Sequence, residues 1–508
     1  MKRATLSELS QKPYDLLVVG GGIYGVMAAR DAALRGLRTA IVDGGDWGGQ
    51  TSYNSLKLMH GGIRYVQHLD FARLRASARE RAFWQRAGAD VVTPLDFAIP
   101  MQGYGIKGPI AFGIAAQLYN LASAGLRGPH YGLAHAVGPR KARALMQDLA
   151  PADLTGGGVW RDGQIQDGNR LLLAALRAAT DAGADAANHV LAEEPILHQG
   201  RVIGARLSDR ISGGTAEVRA KVTLSCTGGA AAGFAAHVLP DGAAQQVFPK
   251  FARAMNLVID RKLCARGIGI ISRSRSDAVV DRGGRMYFLT PWQGRTIIGT
   301  HESPYVPGTD GHMPDPAQVQ AFLDEINFAA PSLNLGPEDV AFCYSGLIPA
   351  DIDDAAKAVQ RQTRGTLIDH ARHGGPAGLI SSVGVKYTTA RLIAERAVDL
   401  AMQQLDRPAV ASQSFDAALP IGAPGYDPDQ PAAPQVARAV TDDMACTLED
   451  LLFRRSLLAE RGLLRGTEGR ARIDAAASAM AHCLSWDETA RESQVQGVLR
   501  TLRQHKYE

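Results

Sequence analysis

The chain has 508 residues, 46% hydrophobic and 21% charged, a globular composition too long for one ordinary core, so two or three domains are expected. A formal charge of +4 is too small to make nucleic acid the expected partner. Five cysteines (Cys226, Cys264, Cys343, Cys446 and Cys483) stand far apart without a CxxC pair; this speaks against a disulfide framework or a zinc site and suits a reducing cytoplasm.

The opening MKRATLSELSQKPYD has no apolar run of signal-peptide length. Residues 16–19 are apolar enough for a central parallel strand. Gly20, Gly22 and Gly25 follow in G-x-G-x-x-G spacing, a helix is predicted over about 23–35, and RTAIVD is a second strand closing on Asp43. The glycines permit a tight turn and close backbone approach to a pyrophosphate, with the positive end of the helix facing it. Asp43, 18 residues after Gly25, is placed to accept hydrogen bonds from a ribose hydroxyl, which argues against NADP. Glycines alone say little; strand, glycines, helix, strand and acid in order predict a bound dinucleotide.

Residues 54–68, NSLKLMHGGIRYVQH, set Lys57, His60 and Arg64 in a mostly apolar run. Read alone, the lysine and arginine are solvated charges and His60 a core histidine. Residues 109–126 come nearest to a membrane span, but Gln117 and Asn120 interrupt them and Gly113 weakens the helix. A buried helix is expected there, with a helix lying on a membrane surface as the alternative. An apolar strand then leads into Thr227, Gly228 and Gly229, a turn that many FAD proteins use to close on the nucleotide. No second G-x-G-x-x-G follows a strand, so FAD alone is expected. Between 250 and 275, Lys250, Arg253, Arg261, Lys262, Arg266, Arg273 and Arg275 face one acid, Asp260. This is a solvated face or, in the sharper reading, a contact for anionic lipid headgroups. Alternating stretches at 286–303 predict antiparallel strands. Residues 406–435, rich in Pro, Ala and Asp, read as a linker, and 436–505 as a small helical, arginine-rich unit.

With Thr51, Ser52, Lys57, Leu58, His60, Gly61, Gly62, Arg64 and Tyr65 at matching places, the chain resembles the FAD-dependent glycerol-3-phosphate dehydrogenases, whose second strand is followed by T-S-S-x-x-S-K-L-I-H-G-G-L-R-Y-L. The likeness recurs at 286–303, 344–354, 381–399 and 442–456. It implies a glycine-rich segment beneath the flavin, with Gly62 in close approach and Thr51, Ser52, Lys57 and His60 on the flavin side. Arg64 and Tyr65 would then meet the substrate. In SVGVKYTTAR, Gly384 would let the chain pass under the ring, Lys386 would reach substrate or flavin N1, and Thr388 and Thr389 would offer hydroxyls. Asp167 and Arg170 match the family's D-x-x-R, a structural pair.

Three departures stand out. The family's Y-S-G-x-R-P arginine, which helps to hold the substrate phosphate, is Ile348 after Tyr344. The histidine proposed as proton acceptor is replaced by Asn256, which cannot accept a proton near neutral pH. One of the paired glycines before the lysine is Val385. A further family arginine has two counterparts, Arg361 and Arg364, and spacing favours Arg364.

The expected fold is α/β: a Rossmann-like FAD-binding domain interleaved with an antiparallel-sheet substrate domain over 1–405, then the linker, then a helical domain over 436–508. The cradle is expected at 14–68, substrate-domain parts at roughly 69–150 and 240–350, and an FAD-closing part at 351–405. The expected reaction oxidises a secondary alcohol to a ketone by hydride transfer to flavin N5. Glycerol 3-phosphate is the leading substrate, and Lys386, Tyr344 or a water the proton acceptor. The alternatives are a larger or less anionic polyol or hydroxy substrate, an amine oxidase of the same superfamily, and a non-catalytic flavin-binding protein. The expected partners are a polyol phosphate, quinone as electron acceptor, a peripheral membrane contact and a second copy in a homodimer, with no metal. The expected location is cytoplasmic, peripheral on the inner face of the plasma membrane.

Overall fold

The computed structural model describes residues 1–126, 128, 131–274, 284–306, 313–351, 359–362, 364–427, 429–430 and 432–505. Arg275 of the basic run and residues 352–354 of the family-like segment lie outside them. Among the described residues, eight strands form one sheet and ten a second.

The first sheet has a parallel centre. Tyr14–Val19 lies between Thr39–Val42 and Thr215–Ser225, with Leu16 opposite both Thr39 and Val222. Leu379–Val383 adds beyond Thr215–Ser225, and Asp185–Ala187 beyond Thr39–Val42. All six residues of Tyr14–Val19 are buried, because both faces of the sheet are covered; residues 16–19 are accordingly an unbroken apolar run, and the buried Asp15 before them pairs with Arg38 and Lys221. Helices Ile23–Leu34, Gly168–Asp181 and Ala390–Gln404 pack on one face, where Ala28, Ala32, Ala175, Ala179 and Ala397 keep the contacts close. The paired strands Val190–His198 and Arg201–Asp209 and the short helix Leu6–Ser10 cover the other.

The second sheet is mostly antiparallel. It runs from Gln360–Arg361 through Val340–Asp351, Lys250–Ile259, Arg295–Pro304, Met286–Trp292, Gly267–Ile271, Val92–Gln102 and Leu154–Ile165 to Leu58–Met59 at the far edge. The chain crosses between the sheets as expected, but the second sheet continues to Ile165 and Arg361, past the expected 150 and 350. The final helices, Ala432–Asp443, Gly466–Leu484 and Glu488–His505, do not form a separate core. Their apolar faces share one cluster with Tyr53, Phe342 and Tyr344. The first of these helices begins at Ala432, inside the expected linker. The linker itself is pinned down: Arg30 donates to the Ser414 carbonyl at 2.8 Å.

Helix Pro109–Ala122 is not the buried helix expected. Phe112, Ala116, Tyr119 and Asn120 face the protein, whereas Ile110, Ile114, Leu118 and Leu121 are exposed, Ile110 by 78%. Tyr104 and Ile106 extend this apolar strip. Asn120, which interrupts the apolar run in sequence, is the residue buried: its amide donates to the Ala134 carbonyl (2.8 Å) and accepts from the Ala134 N–H (2.9 Å).

Candidate active site

A cavity of about 2350 Å³ extends from the glycine turn at Gly20 and Gly22 to the loop at Lys386, walled by both sheets. Its first end is made by close packing. Gly20 has φ +105°, and a Cβ there would lie 2.6 Å from the Cys226 carbonyl oxygen; a Cβ on Gly25 would lie 1.8 Å from the Gly20 oxygen. Both must be glycine for the helix to seat on the turn. Asp43 follows Thr39–Val42, accepting from the Gly21 N–H (2.5 Å) and the Gly45 N–H (2.8 Å). Ser52 reaches across to accept from the Ile23 N–H at 2.9 Å, holding the helix start. Thr227 and Gly228 border the same space, with Gly228 at φ +57° in a short turn.

These features fit a dinucleotide. The cradle is space that side chains would fill, the N-terminus of Ile23–Leu34 points positive charge at it, and the buried Ser382 hydroxyl on the wall has no partner among the described residues.

The other end is cationic. Lys386 follows Gly384, whose missing side chain is required: a Cβ there would lie 2.0 Å from the Tyr24 ring. The Tyr24 hydroxyl donates to the Lys386 carbonyl (2.8 Å) and accepts the Val385 and Lys386 N–H groups (3.2 Å each). Tyr24 sits between the motif glycines, and its part in shaping this loop has no signal in the sequence. The Lys386 ammonium lies 4.2 Å from the Tyr65 ring centroid and donates to the Tyr65 hydroxyl. Burial, then the nearby charges of Arg361, Arg64 and Arg73, pull Lys386 down to about 7. Arg64 is exposed and borders the cavity.

Two further wall residues, Arg285 and Arg361, grip one buried carboxylate. Glu302 pairs with Arg361 at 2.7 Å and with Arg285. Sequence reasoning singled out neither Arg285 nor Glu302, although Glu302 lies within the family-like segment 286–303; only the sheet shows that this carboxylate joins Arg285 to Arg361.

Several expectations need correction. Lys57 borders the cavity, but its ammonium is turned into the protein: it pairs with Glu460 at 2.8 Å, donates to the Tyr53 carbonyl at 3.0 Å, and lies over the Tyr53 and Tyr344 rings. It fastens the C-terminal domain. Tyr344 is fully buried against Tyr53 and Phe342, off the cavity wall; burial and then the Glu460 carboxylate push its hydroxyl well above the usual range, so it is no proton acceptor. Arg364 is exposed, lies 3.8 Å from Asp70 and is off the wall, so Arg361 takes the place assigned to it. Thr389 is also off the wall, its hydroxyl 3.5 Å from the Lys386 carbonyl, whereas Thr388 lies on it. The Thr51 hydroxyl, although at the cavity, is engaged by Leu347, donating to its carbonyl (3.0 Å) and accepting its N–H (3.1 Å). The basic run is not one lipid-facing patch: Arg253 is buried on Gln318, Arg261 pairs with Asp339 and Arg273 with Glu325.

The remaining site residues lie on the wall. His60 Nδ1 is 3.4 Å from Asp162, a buried carboxylate that also takes Arg81 and the Gly61 N–H at 2.7 Å each. Gly62, at φ +88°, precedes the turn carrying Arg64 and Tyr65. Asn256 accepts from the Thr300 hydroxyl at 2.8 Å. Ile348 packs with Ala252, Ala254, Ala350 and Val359, an apolar lining beside the arginines.

The profile of the FAD dependent oxidoreductases matches residues 15–396. The chain is 30% identical over 426 residues to a glycerol-3-phosphate dehydrogenase of Synechocystis sp., covering 82% of this chain and 75% of that one. It is 31% identical to the mitochondrial glycerol-3-phosphate dehydrogenase of Mesocricetus auratus, spanning about half (54%) of that longer protein. Among solved structures, the glycerol-3-phosphate dehydrogenase from Bacillus halodurans complexed with FAD superposes with a TM-score of 0.71 at 21% identity, over 98% of this chain and 96% of that one. That likeness bears on the fold.

Proposed function

The chain belongs to the FAD dependent oxidoreductase family, as an FAD enzyme acting on CH–OH groups, and from that premise we propose that it oxidises glycerol 3-phosphate, or a close polyol phosphate, to the ketone. The observation that carries this reading is the convergence of the cations Arg64, Arg285 and Arg361 beside Lys386 at the end of the cavity away from the glycine turn. Cations so placed suit a phosphorylated substrate and oppose a protonated amine.

FAD, held along Gly20, Gly22, Asp43, Ser52, Thr227 and Gly384, supplies the two-electron acceptor for the hydride on the carbinol carbon. The protein's own part is binding and proton transfer. Arg361 and Arg285, fixed by Glu302, hold the phosphate, which lets an apolar residue stand at 348. Arg64 and Tyr65 orient the carbinol. Lys386 accepts the hydroxyl proton at Nζ, a task its lowered pKa allows near neutrality and Asn256 cannot perform.

Quinone as acceptor and a peripheral membrane contact belong to the same proposal. Among the described residues no helix is long and apolar enough to cross a membrane. The strip from Tyr104 to Leu121 suits the surface of a bilayer, and Ala111, Phe112 and Ala115 of the same helix border the cavity, giving a lipid-soluble acceptor a short approach.

The test is anaerobic mixing of the purified flavoprotein with glycerol 3-phosphate, glycerol, a 2-hydroxy acid and an amine. Bleaching of the flavin absorbance by the phosphorylated polyol alone supports the reading. Bleaching by the amine, or by nothing offered, overturns it.

A further inference from the structure

The family profile ends at residue 396, so the C-terminal helices fall outside it. They nevertheless form part of the cavity wall: Thr447, Glu449, Arg454, Gln494 and Arg500 border the same space as Asp43. We propose that the C-terminal helical domain completes the cofactor site, closing over the adenosine half of the dinucleotide and retaining it through a two-way clasp with the cradle. This rests on the FAD reading above and assigns a task to a domain that reading leaves idle.

The clasp has two reciprocal halves. The loop after Asp43 carries Asp46, buried, whose carboxylate takes the Arg455 guanidinium in a bidentate pair (2.6 and 2.8 Å), Arg454 Nε at 2.6 Å and Asn188 Nδ2 at 2.9 Å. In the opposite direction, Asp450 of the C-terminal domain takes His189 Nε2 at 2.8 Å, and His189 immediately precedes the strand Val190–His198. Each side thus gives one carboxylate and receives one. Bidentate guanidinium–carboxylate pairs shielded from water are directional, so they fix the loop's position and not merely its proximity. That matters because Asp43 is held by the Gly45 N–H of the same loop, at 2.8 Å. If Asp46 is released, the hydrogen-bonded setting of Asp43 goes with it.

His189, Cys446 and Asp450 bring three ligand atoms within 4.8 Å of one another, the spacing of a metal site. The Asp450 carboxylate is already occupied by His189, Arg454 and the N–H groups of Cys446 and Thr447. The cluster therefore reads as a fastening.

FAD release from the full-length holoprotein tests the proposal, followed as recovery of free flavin fluorescence after dilution, with the unfolding midpoint of the apoprotein recorded alongside. Arg455→Met and Asp450→Asn, made separately, are each expected to speed release at least tenfold, and Arg455→Lys to fall between Arg455→Met and wild type. Arg177→Met breaks a side-chain contact between the same domains off the cavity wall (Arg177–Asp443, 2.7 Å), keeps the Asp443 carbonyl that Arg455 binds at 2.7 and 2.9 Å, and is expected to leave release unchanged. Release at the wild-type rate in Asp450→Asn and Arg455→Lys overturns the clasp, even if the apoproteins melt earlier. Equal acceleration by Arg177→Met overturns it too, because any loosening of the domains would then suffice. A wild-type protein that takes up no FAD would defeat the cofactor reading itself, a distinct failure.

Discussion

The glycine turn and the cationic end close one cavity but are built on opposite plans. The turn is made by about 30 consecutive residues, Tyr14 to Asp43, and works through atoms that are missing: Gly20 and Gly25 leave room for backbone to touch backbone. The cationic end gathers Arg64, Arg285, Glu302, Arg361 and Lys386 from separate strands and turns, and works through atoms that are present, held against their own repulsion. A turn built from vacant space tolerates no addition. A cluster built from charges loses function by degrees.

Gly25→Ala should give the largest effect, since the new methyl would meet the Gly20 carbonyl: the protein is expected to purify without flavin, read from its visible spectrum. A yellow Gly25→Ala protein would break the contrast. Next comes Lys386→Met, expected to lower kcat/KM by about 10²–10⁴-fold. The acceptor is the neutral amine, so wild-type kcat/KM should climb with pH through about 7 and then level. Loss of that limb in the variant sharpens the assignment, and its persistence transfers the role to another group. Lys57→Met leaves Glu460 buried and unpaired and should cost about 3–5 kcal/mol of stability in chemical unfolding. Turnover with FAD saturating is expected to stay near wild type, which separates this lysine from Lys386. Arg361→Ala should weaken binding of a phosphorylated substrate by about 1.5–3 kcal/mol, seen in KM, while a free polyol is indifferent to it. The smallest effect belongs to Arg364→Ala, within about 0.5 kcal/mol in any assay, because the side chain is solvated.

The contrast explains what the sequence could show. The cradle was legible because each of its constraints is local: a strand, three glycines, a helix and an acid in fixed order. The segment at 54–68 was legible in identity but not in orientation. Lys57 was expected on the flavin side and Arg64 at the substrate, yet Lys57 lies at φ +58° and turns inward to Glu460, some 400 residues away, while Arg64 borders the cavity. The choice between Arg361 and Arg364 failed for a related reason: counting back from Lys386 cannot register which of two nearby arginines is drawn in by Glu302. Helix Pro109–Ala122 misled because composition reports how apolar a segment is, and not which side of it the fold leaves uncovered.

That uncovered side bears on handling. In plain aqueous buffer, Tyr104, Ile106, Ile110 and Leu121 of one molecule have only another molecule's copies to hide against. A doubled mass in gel filtration would then be a product of the solvent. Detergent above its micellar concentration should return the monomer's elution volume, so any account of quaternary assembly needs runs made both with and without an amphiphile.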